Sequence, residues 1–382
     1  MVTIGIDVSD LRVAKTGQKT YLTELCNAFR KLEQEDAIRS KSAKSVEFIY
    51  MDSPFPVIKR RGILAILAQH LFHQAWKQII LPIRAYFKNV DVLFCTDYFA
   101  PYIHLKFKTV QVFHDAFFFQ NPEHYNRYWL LLHRYLVMPA ARKSTFIIVP
   151  ARFTLQKVKE YTKLSPDKLV CIYAGPKSFT DKLPPKPVTL KLPKYFILHV
   201  GVMEKRKNLE TLIKAYHLMI HSGNLKRNYD TIKLVLVGQG TGRKESDSSE
   251  TVNALIEDMG LKENVLLTGY LTDDELRLAY SQAILYVFPS LNEGFGIPVL
   301  EAFKWRLPII VANNSCLPEI GGDGVLSFDP HDVLDLSEKM TKVLNDSTLK
   351  ELLIERGQKR LQDFSWERSA REMIEVFERA AQ

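Results

Sequence analysis

The chain has 382 residues, of which 46% are hydrophobic and 25% are charged, and its net charge is +9. This length exceeds what one hydrophobic core usually supports, so we expect two domains, and the composition excludes a disordered, collagen-like or disulfide-scaffold chain. The four cysteines are scattered without a CxxC pair, which indicates neither a zinc site nor a disulfide framework and favours a reducing compartment.

The first ten residues, MVTIGIDVSD, predict a strand and lack the basic and apolar regions of a secretory signal. No apolar run approaches the ~18 residues that suggest a transmembrane helix. We therefore expect a cytoplasmic protein, or one that contacts a membrane from its cytosolic side.

The positive charge is concentrated in the first half of the chain. Residues 1–190 hold 28 Lys and Arg against 15 Asp and Glu, whereas residues 191–382 hold 24 against 28. The net charges are thus +13 and −4. Two interpretations remain open: the first half contacts an anionic surface or ligand, or its lysines are simply solvated.

Short β-rich runs alternate with helical patterns throughout the chain, as in parallel sheets covered by helices. The predicted fold class is α/β, with two Rossmann-like, doubly wound domains facing across a cleft. The predicted strands are TIGIDV, VEFIYM, DVLFC, TVQVFHD, FIIVP, LVCIY, YFILHVG, IKLVLVG, NVLLTGY, LYVFPS, PIIVAN and GVLSFDP.

Residues 59–89 mix large apolar side chains with basic ones and contain no acidic residue. This composition is typical of an amphipathic helix at a membrane interface, here expected to be broken at Pro82. A buried helix pair with basic ends is the alternative. If the first interpretation holds, the segment contacts anionic lipid and brings the domain to a lipid-linked acceptor.

Residues 175–195 contain five prolines without an amphipathic period and predict an extended linker. We place the first domain at 1–178, the linker at 179–194 and the second domain at 195–365. Ser365 then caps a final predicted helix, residues 366–382. Because ligands of open α/β folds bind at the carboxyl ends of strands, the site is expected between the two domains.

Two loops of the second half carry candidate site residues. After YFILHVG, Arg206 and Lys207 precede a predicted helix that begins near Asn208, where cations suit a phosphate-binding loop. An ordinary solvated basic loop is the alternative. The nearby glycines 238, 240 and 242 lack the spacing of a dinucleotide-binding or Walker motif and indicate a plain strand-to-helix loop.

The stretch NEGFGIPVLEAF, residues 292–303, places Glu293 on a glycine-containing loop and Glu301 about one turn into the helix that follows. Pro298 suits the first turn of that helix, whose N-terminus favours a phosphate. Glu301 can accept hydrogen bonds from the hydroxyls of a ribose, and Glu293 from a second polyol. A capping glutamate plus an exposed loop glutamate is the alternative.

These segments, in this order, resemble the retaining GT-B glycosyltransferases of glycosyltransferase family 4, the mannosyltransferase-like group 1 enzymes. The resemblance covers nearly the whole chain. It rests on ARKSTFIIVPARFTLQKVKEY, HVGVMEKRKN, LTGYLTDDEL, VFPSLNEGFGIPVLEA, NNSCLPEIGGDGVLSFDP and FSWERSARE.

The resemblance implies a role for each matching residue of the second half. Glu301 would bind the ribose of a nucleotide-sugar donor, and Arg206 and Lys207 would neutralise its diphosphate. The donor sugar would be bound by Glu293 and by the amides around Gly294, Phe295 and Gly296.

In the first half, VFHDAF resembles the His-Asp segment of the family, so His114 would lie against the donor sugar near the reacting carbon. A structural histidine at a strand end is the alternative, and Asp115 is equally well explained as a helix cap. Gly17 is the one glycine where relatives often have a pair, and it is a candidate for the phosphate-binding region. The final helix would pack back on the first domain.

The resemblance implies transfer of a hexose, with retention of configuration, to a hydroxyl of a lipid-linked or cell-surface glycan. GDP-mannose is the favoured donor, with UDP- and dTDP-sugars as alternatives. The chain has no Asp-x-Asp to bind a divalent cation, so we expect no metal or other cofactor. Competing interpretations are a GT-B nucleotide-sugar epimerase or phosphorylase, and a basic nucleic-acid-binding protein, although no recognised nucleic-acid module is present.

Overall fold

The structure is a computed structural model of the whole chain. It describes residues 1–14, 16–39, 46–58, 62–125, 127–179, 190–226, 229, 231–242 and 245–382. Lys59, Arg60 and Arg61, and most of the predicted linker, lie outside the described residues.

The chain divides into two compact units, and each is described by itself. The first comprises residues 1–122, 126–175 and 365–382, and the second comprises residues 123–125 and 176–364. All twelve predicted strands are found, each within three residues of its predicted ends.

The first unit contains a six-stranded sheet in the order β2-β1-β3-β4-β5-β6. Every neighbouring pair is parallel, with Ile4 opposite Phe48 and Val92 in the central register. Its strands are β1 (Val2–Asp7), β2 (Val46–Met51), β3 (Val92–Cys95), β4 (Lys108–Val112), β5 (Phe146–Val149) and β6 (Leu169–Cys171).

The second unit contains a parallel six-stranded sheet in the order β12-β11-β10-β7-β8-β9. Its strands are β7 (Phe196–Val200), β8 (Lys233–Val237), β9 (Val265–Gly269), β10 (Leu285–Phe288), β11 (Ile309–Ala312) and β12 (Val325–Phe328). This is the Rossmann order, whereas the first sheet has the flavodoxin-like order. The predicted α/β class with two doubly wound sheets is confirmed.

Helices connect the strands. In the first unit they are α1 (Thr16–Arg39), α2 (Ile63–Ala75), α3 (Leu81–Phe87), α4 (Phe117–Gln120), α5 (Arg127–Leu132), α6 (Met138–Lys143) and α7 (Arg152–Thr162), with α15 (Trp366–Ala381) at the end of the chain. In the second they are α8 (Leu209–His221), α9 (Ser249–Asp258), α10 (Asp273–Gln282), α11 (Ile297–Lys304), α12 (Leu317–Gly321), α13 (Val333–Asn345) and α14 (Ser347–Leu361). In the part of the chain that is described, none of them has the length and apolar character needed to cross a bilayer.

The central strands are buried on both faces, which explains their continuous runs of Val, Ile, Leu and Phe. Residues of β10 and β11 are fully buried, as are Val92 and Phe94 of β3.

The final helix, α15, packs on the first unit. The hydroxyl of Ser365 accepts a hydrogen bond from the amide of Arg368, as the predicted N-cap requires. Phe377 is fully buried, and its ring lies 5.0 Å from that of Phe94 and 6.1 Å from that of Phe29. The apolar face of this helix thus completes the core beneath the first sheet.

Residues 63–87 form one uninterrupted helical run, and the break expected at Pro82 is absent. A π-helical turn, Trp76–Ile80, separates α2 from α3, and Pro82 lies in the first turn of α3. The wider turn explains the continuity, because it accommodates a residue that has no backbone N–H to donate.

Candidate active site

The candidate site lies in the second unit at the carboxyl ends of β7 and β10, the adjacent strands where the strand order reverses. Two loops leave these strands: the Arg206 loop, residues 201–208, and the Glu293 loop, residues 289–296. The amide of Leu291 donates to the carbonyl oxygen of Arg206 over 2.7 Å, so the loops are directly joined. Such a switch point is where ligands bind in open α/β sheets.

Three of the predicted residues form one charged group, here called the Glu293 cluster: Arg206, Lys207 and Glu293. Lys207 Nζ lies 2.5 Å from Glu293 Oε1, and Arg206 Nη1 lies 3.0 Å from Glu293 Oε2. Arg206 Nε also donates to Glu204 over 2.7 Å. Glu293 therefore bridges both cations, a pairing that the sequence did not indicate.

The charges in the cluster depend on one another. Burial acts to raise the pKa of Glu293, but Lys207 and Arg206 outweigh it and lower this pKa to about 2. Burial also lowers the pKa of Lys207, and the neighbouring Glu293 opposes that change. Lys207 and Glu293 are both almost fully buried, whereas the Arg206 side chain is 29% exposed. Arg206 is thus the most accessible cation of the cluster.

The strands beneath the cluster support Lys207. Its ammonium lies 4.8 Å from the centre of the Phe288 ring, a favourable cation–π distance. His199 Nδ1 donates to the carbonyl oxygen of Val287, while His199 Nε2 is buried without a hydrogen-bond partner among the described residues. Burial lowers the pKa of His199 to about 4, so this ring stays neutral next to Lys207.

The shape of the Glu293 loop is fixed by Gly296 and Cys316. Gly296 has φ of +96°, a value that side-chain-bearing residues rarely adopt, and α11 begins directly after it. Pro298 lies in the first turn of α11, as expected. The Cys316 thiol donates to the carbonyl oxygens of Glu293 and Phe295, each over 3.1 Å. Phe295 is buried, and Gly294 lies between the two bonded carbonyls.

Glu301 lies on α11, buried, and its Oε2 accepts a 2.7 Å hydrogen bond from the hydroxyl of Tyr280. Tyr280 packs in turn on Tyr286 of β10, with ring centres 5.8 Å apart. Burial raises the pKa of Tyr286 first, and the charges of Glu301 and Glu293 raise it further. The structure thus brings Arg206, Lys207 and Glu293 into direct contact, and Glu301 bonds separately to Tyr280.

The predicted residues of the first half belong to the first unit. His114 follows β4, its Nε2 lies 2.8 Å from the carbonyl oxygen of Thr96, and its ring meets the edge of Tyr21. The neutral ring therefore carries its proton on Nε2, which leaves Nδ1 as an acceptor. Burial lowers the pKa of His114, so neutrality is favoured.

Asp115 and Gly17 have local explanations. Asp115 Oδ1 accepts from the amide of Phe117 over 3.0 Å, in the turn that precedes the short helix α4, whose cap residue is Ala116. Gly17 lies in the first turn of α1, and a side chain there would meet no described atom within 4 Å. No close approach of the backbone to another described residue therefore requires a glycine at this position.

Sequence reasoning missed three residues that hold the site together, His199, Tyr280 and Cys316, and it named Asn208 only as the start of the next helix. Asn208 adopts a left-handed conformation before α8, and its amide donates to the carbonyl oxygens of Pro289 and Pro330. Cys316 lies in NNSCLPEIGG, one of the segments of the resemblance, but nothing in the spacing of that segment points to the Glu293 loop. A partner more than 20 residues away leaves no periodic signal.

Comparison with known proteins finds a matching family and several relatives. Residues 184–360 match the family described as Glycosyl transferases group 1. The serotype-specific mannosyltransferase WbdA of Escherichia coli is 32% identical over 74% of this chain, which spans about a third (35%) of its length. O-antigen chain mannosyltransferase B of Escherichia coli is 27% identical over 71% of this chain and 70% of its own length.

A solved structure shares the fold. The sucrose-phosphate synthase of Thermosynechococcus elongatus superposes with a TM-score of 0.71 and 16% identity, over 99% of both chains. At this identity, the match shows a shared fold and does not indicate a shared activity. Residues 184–360 thus match a group 1 glycosyltransferase domain, and this match, the relatives and the shared fold together support a group 1 glycosyltransferase with the GT-B fold.

Proposed function

We propose that this chain transfers a hexose from a nucleoside-diphosphate sugar to a hydroxyl of a glycan. Mannose carried by GDP is the favoured donor, because the relatives described above are mannosyltransferases. UDP- and dTDP-sugars are the alternatives. The acceptor class is a glycan of the O-antigen type, as the name of one relative suggests.

The Glu293 cluster is the observation that carries this proposal. Two cations and the N-terminus of α11 lie at the carboxyl edge of the second sheet, the arrangement that a diphosphate requires. Arg206 is exposed enough to meet a ligand, and Lys207 is held rigidly behind it. In the reaction, the bond between the anomeric carbon and the diphosphate breaks while a bond from that carbon to the acceptor oxygen forms. Preorganised cations stabilise the charge that gathers on the leaving diphosphate.

Glu293 has a double role in this proposal. It holds both cations in position, and each of its oxygens retains a lone pair that can accept from a hydroxyl of the donor sugar. Glu301, buried against Tyr280, is proposed to accept from the ribose. His114 is proposed to face the donor sugar. We propose retention of configuration, with a phosphate oxygen of the leaving group taking the proton of the acceptor hydroxyl.

We also propose that the acceptor is lipid-linked and that the first unit contacts an anionic membrane from its cytosolic side. The support is a row of exposed apolar residues, here called the apolar stripe: Leu64, Leu67, Leu71, Ile79, Ile83 and Phe87. Within each half of the helical run these residues are three or four positions apart, so they share a face. The opposite face is buried through Trp76, Leu81 and Ala85.

The loop that follows β3 extends the apolar stripe. Tyr102, Ile103 and Leu105 are exposed, and Gln78 fixes the loop to the helix by accepting from the amide of Tyr102. Lys143 lies 3.6 Å above the Tyr102 ring. Apolar side chains flanked by cations are the pattern of an interfacial surface that binds anionic lipid.

Product analysis tests the proposed transfer. The chain is incubated with radiolabelled GDP-mannose, UDP-glucose or dTDP-glucose and with lipid-linked glycan from an O-antigen-producing strain. Label in the glycan, with release of the nucleoside diphosphate, is expected. Conversion of the donor to an epimer, dependence on free phosphate, or salt-sensitive binding to DNA in place of transfer would contradict the proposal and favour one of the competing interpretations.

A further inference from the structure

The hydroxyl of Tyr280 is held in one position by its surroundings. Tyr280 lies in the last turn of α10 and is fully buried. Its ring centre lies 5.8 Å from that of Tyr286 and 6.3 Å from that of Phe179. At the other end of α10, Thr272 and Glu275 form a capping box, in which the side chain of each accepts from the backbone amide of the other. The helix is therefore well anchored, and the ring has little freedom to turn its hydroxyl elsewhere.

The hydrogen bond between Tyr280 and Glu301 has one possible direction. Burial raises the pKa of Tyr280 well above its ordinary value, and the charge of Glu301 raises it further. The phenol thus keeps its proton and donates to Oε2 of Glu301 over 2.7 Å, a short distance typical of a bond to a charged oxygen. Glu301 is only 5% exposed, so protein contacts such as this bond, and not bulk water, orient its carboxylate.

The orientation of this carboxylate decides how many hydroxyl groups it can accept from. The terminal torsion of a glutamate is broad, so a carboxylate without such a bond can turn its plane. A carboxylate has about four acceptor sites on its two oxygens, so Oε2 can accept from Tyr280 and also from a ligand. With its plane fixed, it can meet two neighbouring hydroxyls together, as it meets the two parallel N–H groups of a guanidinium.

We infer that Tyr280 is a positioning residue, which fixes the carboxylate of Glu301 so that both vicinal hydroxyls of a ribose donate to it. The donor is then a ribonucleoside-diphosphate sugar, such as one carried by GDP or UDP. A dTDP-sugar lacks the 2′-hydroxyl and would leave one of the two hydrogen bonds unmade. This inference rests on the proposed function, which assigns the ribose to Glu301.

Calorimetric titration of the full chain with GDP and UDP, and with the 2′-deoxy form of whichever binds more tightly, tests the inference. Wild type should bind the ribonucleotide about tenfold or more tightly than its 2′-deoxy form, since a hydrogen bond to a charged group is lost. Tyr280→Phe should reduce this ratio to about threefold or less, because an unfixed carboxylate must lose its torsional freedom before it accepts two bonds.

Tyr216→Phe is the matched control. Tyr216 lies on α8, is fully buried, and donates from its hydroxyl to the carbonyl oxygen of Ile232 over 2.8 Å. Both substitutions remove the hydrogen bond of a buried phenol, so both variants should melt below wild type. Tyr216→Phe leaves Glu301 and its partner unchanged, and its ratio of ribonucleotide to 2′-deoxynucleotide affinity should equal that of wild type.

Three results would overturn the inference: the same ratio in wild type and Tyr280→Phe, a wild type that binds the 2′-deoxy form as tightly as the ribonucleotide, or an equal fall of the ratio in Tyr216→Phe. Tyr280→Phe should fold, because the ring is preserved. If it does not, Glu301→Gln is the second variant, and a ratio that is unchanged there also overturns the inference.

The inference and the proposed function fail in different ways. If GDP or UDP binds and Tyr280→Phe leaves the ratio unchanged, only the role of Tyr280 is wrong. If neither nucleotide binds to wild type, the proposed function fails, and the inference fails with it.

Discussion

Glu293 is a carboxylate almost completely removed from water, and it is stable there because two cations share it. Lys207 approaches one oxygen and Arg206 the other, so each charge is paired within hydrogen-bonding distance. Removing Glu293 leaves the buried ammonium of Lys207 uncompensated, and removing Lys207 leaves one oxygen of a buried carboxylate without its cation. Either loss is far more costly than losing a surface ion pair. Single substitutions in the Glu293 cluster should therefore affect activity and stability together.

Lys207→Ala should reduce kcat by about 10²-fold or more, the scale for the loss of one preorganised donor to a transition state. The exposed neighbour Lys205 is the matched control, and Lys205→Ala should retain near-normal turnover. Initial rates at saturating donor make the comparison, with circular dichroism to verify folding. Equal kcat values for the two variants would refute the role proposed for Lys207.

The pKa of Glu293 predicts a pH dependence of stability. Its folded value of about 2 lies below the ordinary value of 4.5, so the pairing stabilises the fold fully above about pH 4.5 and is lost as pH falls toward 2. The shift corresponds to about 3 kcal/mol. Calorimetry should show that wild type melts well above Glu293→Gln at pH 7 and that this gap narrows at pH 3. The exposed Glu263→Gln should differ little from wild type at either pH, and a gap that widens on acidification would be inconsistent with the pairing.

At the scale of elements, the helical run 63–87 has features of both interpretations that its composition left open, a buried face and an exposed apolar face. One face packs in the core of the first unit, and the other presents the apolar stripe to solvent. The π-helical turn before Pro82 keeps the run continuous, so both halves of the stripe belong to one surface element.

Substitution of the apolar stripe tests the proposed membrane contact. The triple variant Leu64→Ser, Leu71→Ser, Ile83→Ser should lower the partition coefficient onto phosphatidylcholine vesicles with 30% phosphatidylglycerol by about tenfold or more, because burial of a large apolar side chain is worth about 1.5–3 kcal/mol. Flotation of the protein with the vesicles measures this partition coefficient. Leu218→Ser, Leu334→Ser, Leu352→Ser changes three exposed leucines of the second unit and serves as the control. Wild type that fails to float with these vesicles and with vesicles of phosphatidylcholine alone would argue against the membrane contact altogether.

At the scale of the whole molecule, the alternation of strand-like and helical segments in the sequence was sufficient to predict the fold. It was insufficient to predict the contacts within the candidate site. Strands such as Val92–Cys95 and Ile309–Ala312 are runs of buried apolar residues, and that signal is local in sequence. The pairing of Glu293 with Lys207 joins residues 86 positions apart, and the hydrogen bond of Tyr280 with Glu301 joins different elements. Only the sheet order brings them together, and composition does not encode it.

The same limit applies to the first unit. Its strands were predictable, but its sheet has a different order from the second, and a buried ion-pair network depends on that order. In this network Lys77 pairs with Asp7, Asp10 and Asp97. A lysine within an apolar and basic segment gave no sign that it would be fully buried among three aspartates.

Chelation should leave the proposed activity intact. The cations of the Glu293 cluster and the N-terminus of α11 are proposed to stabilise the leaving diphosphate without a divalent ion. Rates measured with EDTA should therefore equal those with added Mg²⁺. Activity that EDTA removes and Mg²⁺ restores would require a different account of the site.

The most direct measurement is calorimetric titration of the chain with GDP, UDP and dTDP, followed by the monophosphate of whichever binds best, on wild type and on Lys207→Ala. Wild type should bind one diphosphate at least about tenfold more tightly than its monophosphate, and Lys207→Ala should lose most of that preference. Failure of every nucleoside diphosphate to bind, or a preference that survives in Lys207→Ala, would contradict the claim that this cluster binds the donor.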